Sequence, residues 1–172
     1  LERLIGAGVF YGAAGVEAPA LAGQQVYVVG GANSAGQAAL HLARYARRVT
    51  ILARGEGLAE SMSDYLIKRI EAEDTIVVRS GSRIVDGGGA GRLEWLEIED
   101  IASGDRARLP AGALFVLIGG EPHSEWLAGT VACDERGYIL TGRHMTAEEA
   151  HRLGLPLTLL TLALGIVWLS WM

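Results

Sequence analysis

The sequence predicts a Rossmann-like three-layer α/β fold with an inserted antiparallel β-meander. Three observations lead there. First, the strand formers Val26–Val29 run straight into the Gly-rich turn Gly30-Gly-Ala-Asn-Ser-Ala-Gly36. Ala35, Ala38, Ala39, Leu42, Ala43 and Ala46 then recur at helical spacing, which gives strand, tight turn and helix in succession. Second, a β-branched and apolar run returns at Val49–Ala53 and closes a βαβ unit. Third, short runs punctuated by Gly and charge lie between Arg83 and Leu109, and the continuous apolar run Ala113–Ile118 follows. The texture of a parallel sheet is interrupted by a meander and then resumed.

Taken in order, residues 1–23 are small and apolar, broken by Gly6, Gly8, Gly12, Gly15 and Gly23. They read as a linker or crossover holding one short strand. Residues 24–145 form the principal domain. Its first helix covers about Ser34–Ala46, with Arg47 and Arg48 at the end of the helix, where cations suit the macrodipole. Gly55-Glu-Gly57 is a loop. Ser61-Met-Ser-Asp64 has the S-x-x-D form of an N-terminal capping box, ahead of Leu66, Ile67 and Ile70. Thr75–Arg79 is a further strand. Arg83–Asp86 and Arg92–Asp100 read as strands joined by a loose loop at residues 87–91, and Ser103-Gly-Asp105 turns into a strand ending at Leu109. Gly119-Gly120 ends the buried run, and residues 135–141 read as a turn plus a short strand.

Composition excludes several classes. A net charge of −5 and a pI near 5.4 argue against nucleic acid as a partner. One cysteine, Cys133, rules out an internal disulfide framework. His41, His123, His144 and His151 lack metal-ligand spacing, so no metal is expected. Glycine, 24 of the 172 residues, is about twice its usual share of about 7% and clusters at turns. Trp95 and Trp126 read as packing residues. Cys133 reads as an inert small hydrophobe.

The turn carries the chemistry. A strand–turn–helix unit presents backbone N–H groups and a helix N-terminus to a pyrophosphate. Gly30 permits the sharp turn. Ala32 stands at the second Gly position of G-x-G-x-x-G/A, and Ala35 at the third, where a small residue lets helix and strand pack. Gly30, Gly31, Ala32, Asn33, Ser34 and Ala35 are therefore the candidate cofactor-binding turn of a dinucleotide-binding domain. Arg54 ends the second strand, 24 residues after Gly30. An acid there would select NAD through a ribose hydroxyl, whereas a guanidinium suits the 2′-phosphate of NADP. NADPH is the expected cofactor, with NADH open. Gly119 lies at the strand end where such sheets take ligands. No catalytic residue stands out.

Over residues 1 to about 143 these motifs resemble the NADPH-binding domain of thioredoxin-reductase-like flavoproteins, of the pyridine nucleotide-disulfide oxidoreductase type. Val28-Val-Gly-Gly-Ala-Asn-Ser-Ala35 resembles the phosphate turn GGGNSA. Arg47-Arg-Val-Thr-Ile-Leu-Ala-Arg54 is similar to the second strand with its basic end. Ala113-Leu-Phe-Val-Leu-Ile-Gly119 is similar to the strand that ends beside the nicotinamide, and Gly137-Tyr-Ile-Leu-Thr141 to the next. The resemblance implies a dinucleotide site that passes hydride to FAD held elsewhere in a longer parent chain. Neither half of an FAD domain is legible in these residues. The family's C-x-x-C pair would fall near Ala13 to Val16, but Tyr11-Gly-Ala-Ala-Gly-Val-Glu17 has no cysteine. Dithiol exchange needs an attacking thiolate, so the chain alone is expected to bind dinucleotide and not to reduce disulfides. The alternative reading is a non-catalytic dinucleotide-sensing or interaction module.

Residues 146–172 read as an apolar C-terminal helix. Leu153–Met172 has no charged residue, and 20 helical residues would span about 30 Å, a bilayer core. A cytoplasmic protein is expected, with a membrane or hydrophobic partner for residues 153–172 as the open alternative.

Overall fold

The computed structural model describes residues 1–12, 15–141 and 148. The expected C-terminal helix, residues 146–172, lies outside the described residues apart from residue 148. Among the described residues, no helix is long and apolar enough to cross a membrane. The chain divides into two compact units, Leu1–Ile118 and a second beginning at Gly119.

The first unit is an α/β sandwich around a five-stranded parallel sheet. Its strands are β1 (Val9–Tyr11), β2 (Gln25–Val29), β3 (Arg48–Leu52), β4 (Ile76–Arg79) and β8 (Ala113–Val116), in the order β1-β8-β2-β3-β4. Residues 1–23, read from sequence as a crossover with one short strand, supply edge strand β1. Val9 pairs with Leu114, and both are buried.

Period-two alternation sorts the side chains of this sheet onto two faces. Val26 and Val28 of β2, Val49 and Ile51 of β3, and Phe115 of β8 face helices α1 (Asn33–Leu42) and α2 (Asp64–Glu71). The other face carries Tyr27, Leu52 and Leu114. It meets the antiparallel meander of β5 (Ser82–Gly88), β6 (Trp95–Asp100) and β7 (Arg106–Pro110) through Leu93, Leu96 and Ile98. The three layers are thus helices, parallel sheet and meander. Met62, just ahead of α2, and Leu66 and Ile70 within it recur every four residues and bury one face. Each such side chain contributes about 1.5–3 kcal/mol when fully buried.

One local reading of the meander changes in the structure. The loop expected over residues 87–91 begins later, because Gly87 and Gly88 belong to β5 opposite Leu96 and Trp95. The Trp95 indole covers Gly88, where a Cβ would stand 2.8 Å from Cζ2, so glycine here serves packing within a strand. Arg108 in turn lies over the Trp95 ring, 3.5 Å from its centroid. The turn after β6 is tied by Asp100, whose Oδ1 accepts from Ala102 N and Ser103 N at 3.0 Å each. These bonds, the Ser103 amide foremost, hold the Asp100 carboxyl below its ordinary range.

Among the described residues of the second unit, a 3₁₀ turn, Glu125–Leu127, is followed by isolated bridges Ala128–Val131 and Cys133–Ile139. The short strand expected at 135–141 is only that second bridge, beside a turn at Gly137. The Tyr138 hydroxyl donates to Gly120 O at 2.6 Å. Trp126, read as a packing residue, is 79% exposed because it sits on the outer side of the 3₁₀ turn. Cys133 is a free, exposed thiol.

Candidate dinucleotide site

The candidate site is built where β2 ends. Gly30 follows Val29 with φ +144°, a backbone region that L side chains rarely adopt. Its amide donates to Leu52 O at 3.1 Å, which ties the turn to the end of β3. A Cβ at residue 30 would overlap the carbonyl oxygen of Leu117 and stand 3.2 Å from the Ala35 methyl. The turn can therefore pass between β8 and α1 only as glycine. Ala35 is fully buried, which accounts for the small residue at that position.

Ala32 is the N-cap of α1, with φ −94° and ψ 178°. That is ordinary extended backbone, so the alanine at the second Gly position strains nothing. Its carbonyl accepts from Ala35 N (3.0 Å) and Gly36 N (3.2 Å). Among the described residues, the amides of Gly31, Ala32, Asn33 and Ser34 donate to no protein acceptor. Ala32, Asn33 and Ser34 are exposed. No cap side chain covers this helix end. Four free N–H groups at the positive end of a ten-residue helix can hold an anion such as a pyrophosphate.

The start of α2 is fastened to this turn. The Ser61 hydroxyl donates to Gly31 O at 2.9 Å, and Ser63 N donates to Asn33 Oδ1 at 2.8 Å. Sequence reasoning took Ser61 as the capping box of α2. The helix instead starts at Asp64 after Ser63 as N-cap, with no side-chain cap of its own. Asn33, thirty residues away, takes that amide. Gly36, a position the sequence reading left without a role, lies under the Met62 thioether, where a Cβ would stand 2.8 Å from Sδ.

Arg54 is exposed on the loop after β3, and among the described residues it forms no salt bridge. Ala53 just before it is buried against the turn, 3.8 Å from where a Gly31 Cβ would stand. The same loop carries an acid that sequence reasoning passed over. Glu60 Oε2 comes back over Gly55, 3.6 Å from where a Cβ would stand there. Arg79, at the end of β4, is not a second cation for this loop. It pairs in register with Leu52, whose side chain faces the meander. On that face Tyr27 is pushed up by burial, and the Arg79 charge opposes the shift. Gly119 has φ +92° with open space around its Cα, and it begins the second compact unit.

A cleft of about 420 Å³ in the first unit is lined by Gln24, Gln25, Arg47, Arg92 and Ala111, at the opposite end of the strands. The candidate turn instead stands at an exposed edge, with Ala32, Asn33 and Ser34 open to solvent. Among the described residues, no cluster of His, Cys, Asp and Glu could hold a metal ion.

The sequence family described as pyridine nucleotide-disulphide oxidoreductase matches residues 10–151. The chain belongs to that family. Among curated relatives, thioredoxin reductase of Pneumocystis jirovecii is 36% identical over 129 residues, covering 72% of this chain and 38% of the relative. NADPH-dependent thioredoxin reductase 3 of Arabidopsis thaliana is 33% identical over 124 residues, 71% of this chain and 23% of the relative. Among solved structures, Lactococcus lactis thioredoxin reductase superposes with a TM-score of 0.74 at 26% identity, over 84% of this chain and 47% of that one. The chain thus spans less than half the length of these relatives. The Lactococcus lactis structure shares the α/β architecture of this chain.

Proposed function

We propose that this chain is the NADPH-binding platform of a thioredoxin-reductase-like flavoprotein. The observation that carries the reading is the row of four free amides, Gly31 to Ser34, at the exposed start of α1. They cradle the pyrophosphate. Gly30 and Ala35 keep side chains out of its path, and Asn33 holds the adjoining loop. Arg54 lies on the loop that receives the adenosine ribose, where a guanidinium pairs with a 2′-phosphate. Bound NADPH supplies a hydride to FAD held elsewhere in a longer parent chain. The match to an NADPH-dependent relative supports the choice of nucleotide. With no dithiol at residues 11–17, the chain alone is not competent for disulfide reduction.

Glu60 favours a second reading. A carboxylate against Gly55, next to Arg54, accepts from ribose hydroxyls and repels a 2′-phosphate, as in an NADH site. Calorimetric titration of the full chain with NADPH and NADH separates the two. Saturable binding with NADPH the tighter supports the proposal, and tighter NADH supports the second reading. Absence of binding to either overturns both. Stoichiometric uptake of FAD by this chain would overturn the claim that the flavin is held elsewhere.

A further inference from the structure

We infer that Ser61-Met62-Ser63 is a positioning strap that sets nicotinamide-cofactor selectivity by registering the Arg54 loop against the pyrophosphate turn. The inference rests on the dinucleotide reading above and assigns to it residues that contribute no charge of their own. Three consecutive residues make three separate contacts with the turn and the first turn of α1. The Ser61 hydroxyl bonds to Gly31 O, the Met62 thioether covers Gly36, and the Ser63 amide bonds to Asn33 Oδ1. Two of these contacts fall on Gly31 and Asn33, whose own amides stay free for a ligand.

The loop from Arg54 to Glu60 is thereby held at both ends. At its start, the Ala53 amide donates to Arg79 O at 3.0 Å and Gly55 O accepts from Gly81 N at 2.9 Å. At its end stands the strap. Glu56 and Glu60 lie between Gly55 and the strap, and Arg54 stands between the two start anchors, Ala53 and Gly55. The strap adjoins Glu60 directly and reaches Arg54 through Glu60, whose Oε2 stands 3.6 Å from where a Gly55 Cβ would lie. The reach of these groups toward a dinucleotide seated on residues 31–34 therefore depends on the strap. The turn itself has independent support, from Gly30 N on Leu52 O and from the buried Ala35. Loosening the strap should accordingly disturb the 2′ contacts more than the pyrophosphate contacts.

Ser61 and Ser63 are exposed, so the strap's hydrogen bonds are not part of the core. Ser61→Ala removes one bond without opening a cavity. Ser61→Thr keeps the hydroxyl. Measured on the full chain, Ser61→Ala should weaken NADPH by about 3- to 10-fold, the range of one intramolecular hydrogen bond, while NADH changes by less than about 2-fold. Ser61→Thr should restore the NADPH-to-NADH affinity ratio, and the thermal midpoint of the free chain should stay unchanged. A merely structural serine would lower the midpoint and weaken both nucleotides equally. Equal losses, or an unchanged ratio in Ser61→Ala, would overturn the strap while leaving the dinucleotide site intact. Lack of any nucleotide binding by the wild-type chain would instead remove the reading on which the strap rests. If Ser61→Ala fails to fold, the same ratio read on Ser61→Thr and Ser61→Cys decides, because only the threonine keeps the strong donor.

Discussion

Gly30 and Leu117 stand against each other so closely that a side chain on the first would overlap the carbonyl oxygen of the second. β2 and β8 are adjacent parallel strands, and the turn leaves the end of β2 between Leu117, just past β8, and Ala35 of α1.

Replacement of Gly30 should therefore cost twice. The positive φ alone costs a non-glycine residue about 1–3 kcal/mol, and the overlap with Leu117 forces the turn outward. Gly30→Val should abolish dinucleotide binding. Ala32→Gly should leave it unchanged or tighter, since residue 32 has ordinary extended backbone. Circular dichroism paired with calorimetry checks both. A clear loss of binding in Ala32→Gly with the fold intact would contradict the phosphate-turn assignment.

Charge on the loop after β3 should act in opposite senses at its two ends. Arg54→Ala should weaken NADPH about 10- to 150-fold and NADH little, the value of a charge-assisted hydrogen bond. Glu60→Gln should strengthen NADPH by up to about 5-fold, since it removes a like charge at an exposed site. Equal effects of Arg54→Ala on the two nucleotides would show that the guanidinium meets no 2′-phosphate.

The meander should be acid-sensitive, with Glu99 its buried carboxylate. Glu99 is buried between Arg83, on Oε1, and Arg106, whose Nε donates to Oε2 at 2.9 Å. The Arg83 hydrogen bonds foremost, then those of Arg106, hold its carboxyl below the ordinary carboxylate range against the opposing effect of desolvation. A carboxyl whose folded pKa is depressed stabilises the fold above its unfolded pKa. That stabilisation is lost as pH falls through the folded pKa. The thermal midpoint should drop below about pH 4, and Glu99→Gln should flatten that part of the profile. An unchanged acid limb in Glu99→Gln would place the sensitivity elsewhere.

Thiol chemistry should be absent from the isolated chain. With NADPH and FAD added, no reduction of thioredoxin or a generic disulfide is expected, because residues 11–17 contain no cysteine and Cys133 stands alone. NADPH-dependent thiol release that survives Cys133→Ser would reveal a redox centre outside these residues.

The βαβ unit, the meander and the Gly-rich turn between β2 and α1 were legible in the sequence by itself. Val26–Val29, Gly30 and the alanines of α1 act on neighbours one to four positions away. Backbone sterics and side-chain period settle such structure locally. The tertiary structure decided what no local rule reaches. It placed Leu117 over Gly30, gave the Ser63 amide to Asn33, and sent the Ser61 hydroxyl to Gly31. It folded Glu60 back over Gly55 and laid the Trp95 indole on Gly88, turning an expected loop into strand. These groups lie up to 87 positions apart along the chain. Their meeting depends on how helices and meander pack on the two faces of one sheet, and periodicity within a single element carries no record of that packing.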